Sequence, residues 1–327
     1  MTSASSAIPA APPSAPVAPS RQKLFVLALL ACALAAPLMI YPVFLMKGLC
    51  FALFASAFGL LLGYVGLLSF GHAMFFGWSA YITAHAVKEW GLTPELAIGL
   101  GVLAAMTLGL IAGWLAIRRQ GIYFAMITLA LAQLMYFVAL QAPFTRGEDG
   151  IQGVPRGHLF GLIDLGDTLT MYYFVLAVFV VALLFINRVV TSPFGQVLKA
   201  IRDNEPRAIS LGYQVERYKL LAFVLSAGLA GLAGSLKCLV FQLASLTDVN
   251  WHMSGEVVLM TLLGGVGTVF GPTVGGFMVV TIQNYFAGIG SWVTIIQGVI
   301  FVICVLLFRS GMIGVMAPWL KRRGITG

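Results

Sequence analysis

Long apolar runs dominate the chain, several of them close to the roughly 20 residues that a helix needs to cross a bilayer, and short polar connections separate them. Such runs exclude an ordinary water-facing globule. Of 327 residues, 60% are hydrophobic and only 9% are charged, whereas a typical soluble domain has about 25% charged residues. At a mean hydropathy of +0.98, too little polar surface is left to cover one globular core. A soluble helical protein would show amphipathic stripes instead of these runs.

The net charge of +8 does not describe a nucleic-acid surface, because no basic patch with interleaved aromatics occurs. The bases lie between the apolar runs. Spans are expected at 24–42, 48–68, 71–87, 95–117, 122–141, 171–189, 219–241, 253–268, 271–287 and 291–308. With the N-terminus inside, Arg21, Lys23, Arg118, Arg119, Arg188, Lys199, Arg202, Arg207, Arg217, Lys219, Arg309, Lys321, Arg322 and Arg323 fall on the inner side. Only Lys47, Lys88, Arg146 and Arg156 fall outside, and Lys237 sits near an outer helix end where it can snorkel. This asymmetry follows the positive-inside rule. The expected fold is all-α: a polytopic transmembrane helical bundle of about ten spans with both termini inside.

Residues 1–20 are rich in Pro, Ala and Ser without a charged side chain, and are expected to form a disordered tail. Residues 21–318 form the membrane domain, and 319–327 a basic inner tail. The Ala-rich stretch before Pro37 has the small residues of a signal cleavage site. A further apolar run follows almost at once, which favours an uncleaved anchor. Cys32, Cys50, Cys238 and Cys304 lie inside apolar runs without metal-ligand spacing and are expected to act as small buried hydrophobes. Residues 142–170 read as an outer loop rich in Gly and Pro, and 190–218 as the largest inner connection. There is also an internal echo. LLGYVGLLSFG at 61–71 matches LLGGVGTVFG at 262–271 after one gap. Each piece ends one span and opens the next, so the pair describes either two broken helices of a pseudo-symmetric transporter or chance likeness between Gly-Leu-rich segments.

GYVGLLSFGHAMFFGWSAYITA (63–84), GIYFAMITLALAQ (121–133), TRGEDGIQGVPR (145–156), GQVLKAIRDNEPRAISLGYQVERYKLLAFVLSAGLAGLAGSL (195–236) and LLGGVGTVFGPTVGG (262–276) occur in series. In this series the chain resembles the permeases of branched-chain amino-acid ABC importers, and the LivM-type more than the LivH-type. The resemblance covers about residues 45–315. It implies an ABC importer permease fold in a bacterial inner membrane. It also implies a second permease subunit, two cytoplasmic ATPases and a substrate-binding protein outside as partners. Leucine, isoleucine and valine, other amino acids, and urea or short amides all lie within the cargo range of such permeases. A self-sufficient secondary transporter or channel would account equally well for the spans and the echo.

Neither a GxxxxGK[ST] phosphate loop nor HExxH, GxSxG or a paired Cys/His cluster occurs in the chain. No cofactor and no chemistry of its own is expected, so ATP would be handled by a separate subunit. Asp203 or Asn204 can cap a short helix over about Glu205 to Leu211, with Pro206 in its first turn and Gly212 at its stop. Ala208, Ile209 and Leu211 would give it an apolar contact surface beside Arg207, suited to a groove on a partner or to lipid. The resemblance implies docking on the ATPases, which a secondary transporter would not need. Glu256 is the one acid inside an expected span, and a charge there must be paired, face water or reach the headgroups. Ser69, Thr128, Gln133, Gln283 and Asn284 are candidates for the translocation path or for helix packing. His72, after Gly71 at an inner turn, is expected to be a structural histidine bonded to backbone.

Overall fold

The computed structural model describes residues 31–161 and 163–290, with isolated positions beyond. The chain is a helical bundle in which, among the described residues, ten α-helices follow the helical residues 31–35, and we number those ten in order. They are α1 Pro42–Tyr64, α2 His72–Lys88, α3 Pro94–Ala116, α4 Ile122–Gln141, α5 Thr168–Thr191, α6 Pro193–Asp203, α7 Glu205–Ser210, α8 Val215–Phe241, α9 Trp251–Gly264 and α10 Gly271–Phe286.

The starts of these helices follow from local chemistry. Proline stands at the first turn of α1, α3, α6, α7 and α10, where its missing N–H costs nothing. Asp167 caps α5, and its carboxyl is held below its usual range first by the Thr170 amide and then by the Thr170 hydroxyl. Ser192 and Asn204 cap α6 and α7 through side-chain oxygens. The choice left open between Asp203 and Asn204 therefore falls to Asn204.

Five helices (α1, α3, α4, α5 and α8) are long and apolar enough to cross a membrane alone. The chain is thus an integral membrane protein, and among the described residues the expected count of about ten is not confirmed. The reason is local: α2, α9 and α10 have only 17, 14 and 16 residues. The sequence expectation ran one apolar stretch through residues 65–68, where α1 has already ended at Tyr64. Residues 24–30 of the expected span 24–42, most of the expected span 291–308, both terminal tails and Cys304 lie outside the described residues, and within 31–42 a helix at 31–35 and a turn at Ala36–Leu38 give way before α1 begins at Pro42. Cys50 and Cys238 are buried as expected, whereas Cys32 is exposed.

The helices sort radially. In α1 and α8, 89% and 83% of the most apolar window is buried, against 28–39% in α3, α4 and α5. The first two therefore form the centre, and the other three carry Leu103, Trp114, Met126, Phe137 and Leu184 outward. Apolar side chains are compatible with lipid on that face. Contact at the centre is made by small residues. A β-carbon at Gly234 of α8 would stand 1.9 Å from the Phe76 carbonyl oxygen of α2, and one at Gly276 of α10 would stand 2.8 Å from the Ala52 backbone of α1. Without hydrophobic driving force between helices in lipid, such close packing supplies the dispersion energy that holds them together.

Strands are minor but correct a purely helical expectation. Ile151–Gln152 (β1) pairs antiparallel with Leu243–Ala244 (β4), and His158–Leu159 (β2) pairs with Ile163–Asp164 (β3). The first pair ties the 142–170 loop to the end of α8. Arg156 adds a bond to the Val240 carbonyl at 3.0 Å, and Arg146 pairs with Glu89 at 2.8 Å. All these contacts gather at the end expected outside. At the opposite end, Glu205 meets Lys219 and Gln120 at 2.7 and 2.9 Å.

Two predictions follow from this arrangement. Cysteines replacing the exposed Asp149 and Gln214 should label from opposite sides of a sealed vesicle with a membrane-impermeant maleimide, and labelling from one side refutes the topology. Gly275 of α10 would place a β-carbon 1.8 Å from the Met260 carbonyl oxygen of α9, whereas Gly99 of α3 has open space. Gly275→Ala should destabilise the protein by about 1–3 kcal/mol through overpacking and Gly99→Ala should not, as read from thermal unfolding in detergent.

Candidate functional site

Two helices break at matching places, and the breaks come together. Between α1 and α2 the chain runs irregularly through 65–71, and between α9 and α10 through 265–270. The echoed glycines Gly66 and Gly267 both take left-handed backbone, at φ 78° and 86°, where a β-carbon is strained. Gly63 lies against Gly267, with 2.9 Å between its would-be β-carbon and the Gly267 nitrogen. Both echoed segments therefore end one helix and open the next and pack together, and the aligned glycines share a positive φ, whereas the aligned pair of helical Tyr64 and Gly265 at φ 113° does not match.

A break strands backbone groups that buried surroundings cannot hydrate. Side chains satisfy them here. Thr128 of α4 accepts from the Phe70 amide at 3.1 Å, Ser69 from Gly71 at 3.1 Å, and Ser254 of α9 from Ala73 at 2.9 Å. Thr268 accepts from Gly271 at 3.0 Å in the second break. Ser69 and Thr128 thus serve as local caps. His72 is fully buried, but its partner is a side chain and not the expected backbone: Nε2 lies 2.8 Å from Ser226 Oγ of α8. The Ser226 hydroxyl donates to the Ala57 carbonyl at 2.6 Å, so its oxygen accepts and Nε2 carries the hydrogen. Nδ1 has no partner. Phe58, Phe75 and Phe223 stand edge-on to the ring, because α1, α2 and α8 are apolar on every side that meets there.

Two further candidates meet near the outer end. Gln283 of α10 donates to Glu256 of α9 at 3.2 Å, so this acid is hydrogen-bonded between helices. Gln133 is half-buried and Asn284 is exposed, and neither joins the other candidates. A buried ion pair was missed. Lys237 binds Asp248 at 2.6 Å, with side-chain exposures of 11% and 4%. The residue expected to snorkel is instead enclosed, because Ser245 begins a one-turn helix whose capping box also turns Asp248 inward.

At the inner end, α6 and α7 form a bracket. Leu198 and Ile201 of α6 are buried, and Ala208 of α7 packs with Ile201 and Val215. Ala208 is therefore no part of an exposed contact surface, contrary to expectation. In this helix it faces the bundle, which leaves Ile209 and Leu211 outside at 58% and 69% exposure. Asp203, Pro206, Arg207 and Gly212 are exposed as well. Glu205 fixes the start of α7 through Lys219, whose side chain is only 5% exposed. Between the bracket and the first break lies an open pocket of about 400 Å³ lined by Gly66, Leu67, Gln120, Arg202, Asn204 and Lys219, among others. Arg202 crosses this space to the Gly63 carbonyl. The sequence showed Arg202 only as one more inner base, and no local pattern separates it from its neighbours.

Comparison with known proteins agrees with this architecture. The family described as branched-chain amino acid transport system / permease component matches residues 40–306. The chain belongs to this family. It is 27% identical to the high-affinity branched-chain amino acid transport system permease protein LivM of Escherichia coli, over 92% of this chain and 77% of that one. LivM of Salmonella typhimurium is similar to the same degree. The ribose import permease protein RbsC of Bacillus subtilis is 27% identical over 67% of this chain and 70% of its own length. No solved structure matches. The chain is thus a LivM-type transport permease by sequence, and the relatives are transport subunits.

The two ion pairs make a contrast that can be measured. Asp248→Ala leaves Lys237 buried and unpaired and should cost about 3–5 kcal/mol. Glu89→Ala opens a half-exposed pair with Arg146 and should cost less than about 1 kcal/mol. Thermal unfolding in detergent reads both, and equal shifts would contradict the burial difference.

Proposed function

We propose that this chain is the membrane-spanning permease subunit of an ATP-driven importer that moves branched-chain or related hydrophobic amino acids across a bacterial inner membrane. The observation that carries the reading is the braced α7 helix with Ile209 and Leu211 left exposed, within a chain of this family. A six-residue helix is far below the about 12 residues at which isolated helices become marginal in water. It is held by its Asn204 cap, Glu205 and Ala208, and it presents two large apolar side chains, Ile209 and Leu211, that the described residues leave exposed. Partner ATPases with an apolar groove suit that surface. A second permease subunit and an external binding protein complete the assembly. The cargo follows from the LivM likeness, which spans more of the chain than the likeness to the ribose permease.

The cargo is tested by uptake of labelled leucine, glutamate, urea and ribose into vesicles holding the complete complex. Leucine uptake that requires ATP is expected, and ribose uptake without leucine would replace the cargo. The docking surface is tested at Ile209, because a substitution at Ala208 would disturb the bracket itself. Ile209→Glu should preserve folding and reduce co-purification of the ATPases at least tenfold. Normal co-purification with normal uptake would remove α7 as the docking element.

A further inference from the structure

We infer that Arg202 is the positioning residue that ties the α6–α7 bracket to both helix breaks, so that movement of the bracket moves the two breaks as one. The inference rests on the reading of the chain as an ATP-driven permease, in which force enters at α7.

Arg202 is the next-to-last residue of α6, and Asn204 both ends α6 and caps α7. Its backbone therefore lies at the joint of the bracket. Its guanidinium faces two ways. Nε and Nη2 hold Asp203 Oδ1 at 3.2 and 3.1 Å, which fixes the plane of the group. Nη1 donates to the Gly63 carbonyl at the end of α1. That carbonyl is one of those a helix C-terminus leaves without an intrahelical partner. The negative end of the helix dipole favours a cation there, and five donors in a rigid fork allow both engagements at once.

The same side chain borders the space that a β-carbon would take at each echoed glycine. A β-carbon at Gly66 would stand 2.9 Å from Arg202 Cγ, and one at Gly267 would stand 3.8 Å from Nη1. Any side chain at Gly66 would displace the arginine stem. The Gly63 carbonyl oxygen also lies 3.9 Å from the would-be β-carbon of Gly267. The group thus sits near the end of α1 and the two packed breaks, and it lines the open pocket between the first break and the bracket. The second anchor, Glu205, leads to Lys219 at the foot of α8 and to Gln120 between α3 and α4, and to neither break. Arg202 alone among the bases of the α6–α7 bracket bonds backbone at a break. Packed elements of this kind shift between discrete arrangements, and a charged bond from the joint to α1 makes the breaks follow the bracket.

The test uses the complete complex in liposomes and reads uptake and ATP hydrolysis together. R202M keeps an apolar stem and loses both engagements. Its ATPases should co-purify and hydrolyse at the wild-type level, while the number of substrate molecules moved per ATP falls at least tenfold. R202K can reach Gly63 or Asp203 but not both, and should lower the ratio two- to fivefold. R188M, exposed at the end of α5 and outside the docking helix, should leave it unchanged. An unchanged ratio in R202M overturns the inference, as does loss of uptake and hydrolysis in equal proportion. If R202M does not assemble, R202K decides alone, and a wild-type ratio there overturns it. Absence of ATP-dependent uptake in the wild-type complex would instead refute the importer reading itself.

Discussion

A helix that stops away from water leaves carbonyl and amide groups that must find partners within the protein. This bundle contains two such stops, and much of its polar chemistry answers them. Thr128, Ser69, Ser254 and Thr268 accept the freed amides, and Arg202 donates to a freed carbonyl. These partners come from α4, the breaks themselves, α9 and α6. The breaks therefore organise helices distant in sequence around one region. His72 follows the same logic, since its bond to Ser226 leads on to the α1 backbone.

The breaks also explain the use of glycine. Gly66 and Gly267 are needed for backbone conformation, whereas Gly234, Gly275 and Gly276 are needed for space. Composition counts both kinds alike. Only position in the fold separates a turn from a close approach, and the two respond differently to a methyl group. At the first kind the backbone itself is strained, and at the second a neighbouring helix is pushed away.

The membrane character and most helix limits were legible because apolar runs and capping residues are local signals. Asn204 was legible as a cap, whereas Pro42 was placed at the end of the expected span 24–42 and opens α1 instead, and the helix behind the Ser192 cap was not expected. The pairing of Glu256 with Gln283 was half legible, since both stood out as polar in apolar runs. The pair Lys237–Asp248 was hidden. One partner looked like an interfacial lysine and the other like a loop acid, and only the turn at Ser245 brings them together. Ala208 was misread because a six-residue helix is too short for its periodicity to say which side faces the bundle. Arg202 was illegible for a different reason: its partners lie 139 and 65 residues away, at Gly63 and Gly267.

The radial sorting of the helices has a consequence for how such a chain diverges. On the outward faces of α3, α4 and α5, side chains meet only a requirement to be apolar, which Leu, Ile, Val and Phe fulfil almost interchangeably. On α1 and α8, the contact distances admit a hydrogen atom but no methyl group at several positions. Sequence drift is therefore free in one shell and arrested in the other. A permease can exchange most of its letters and keep its geometry, because the information that specifies the bundle is held in few places and written largely in the smallest residues.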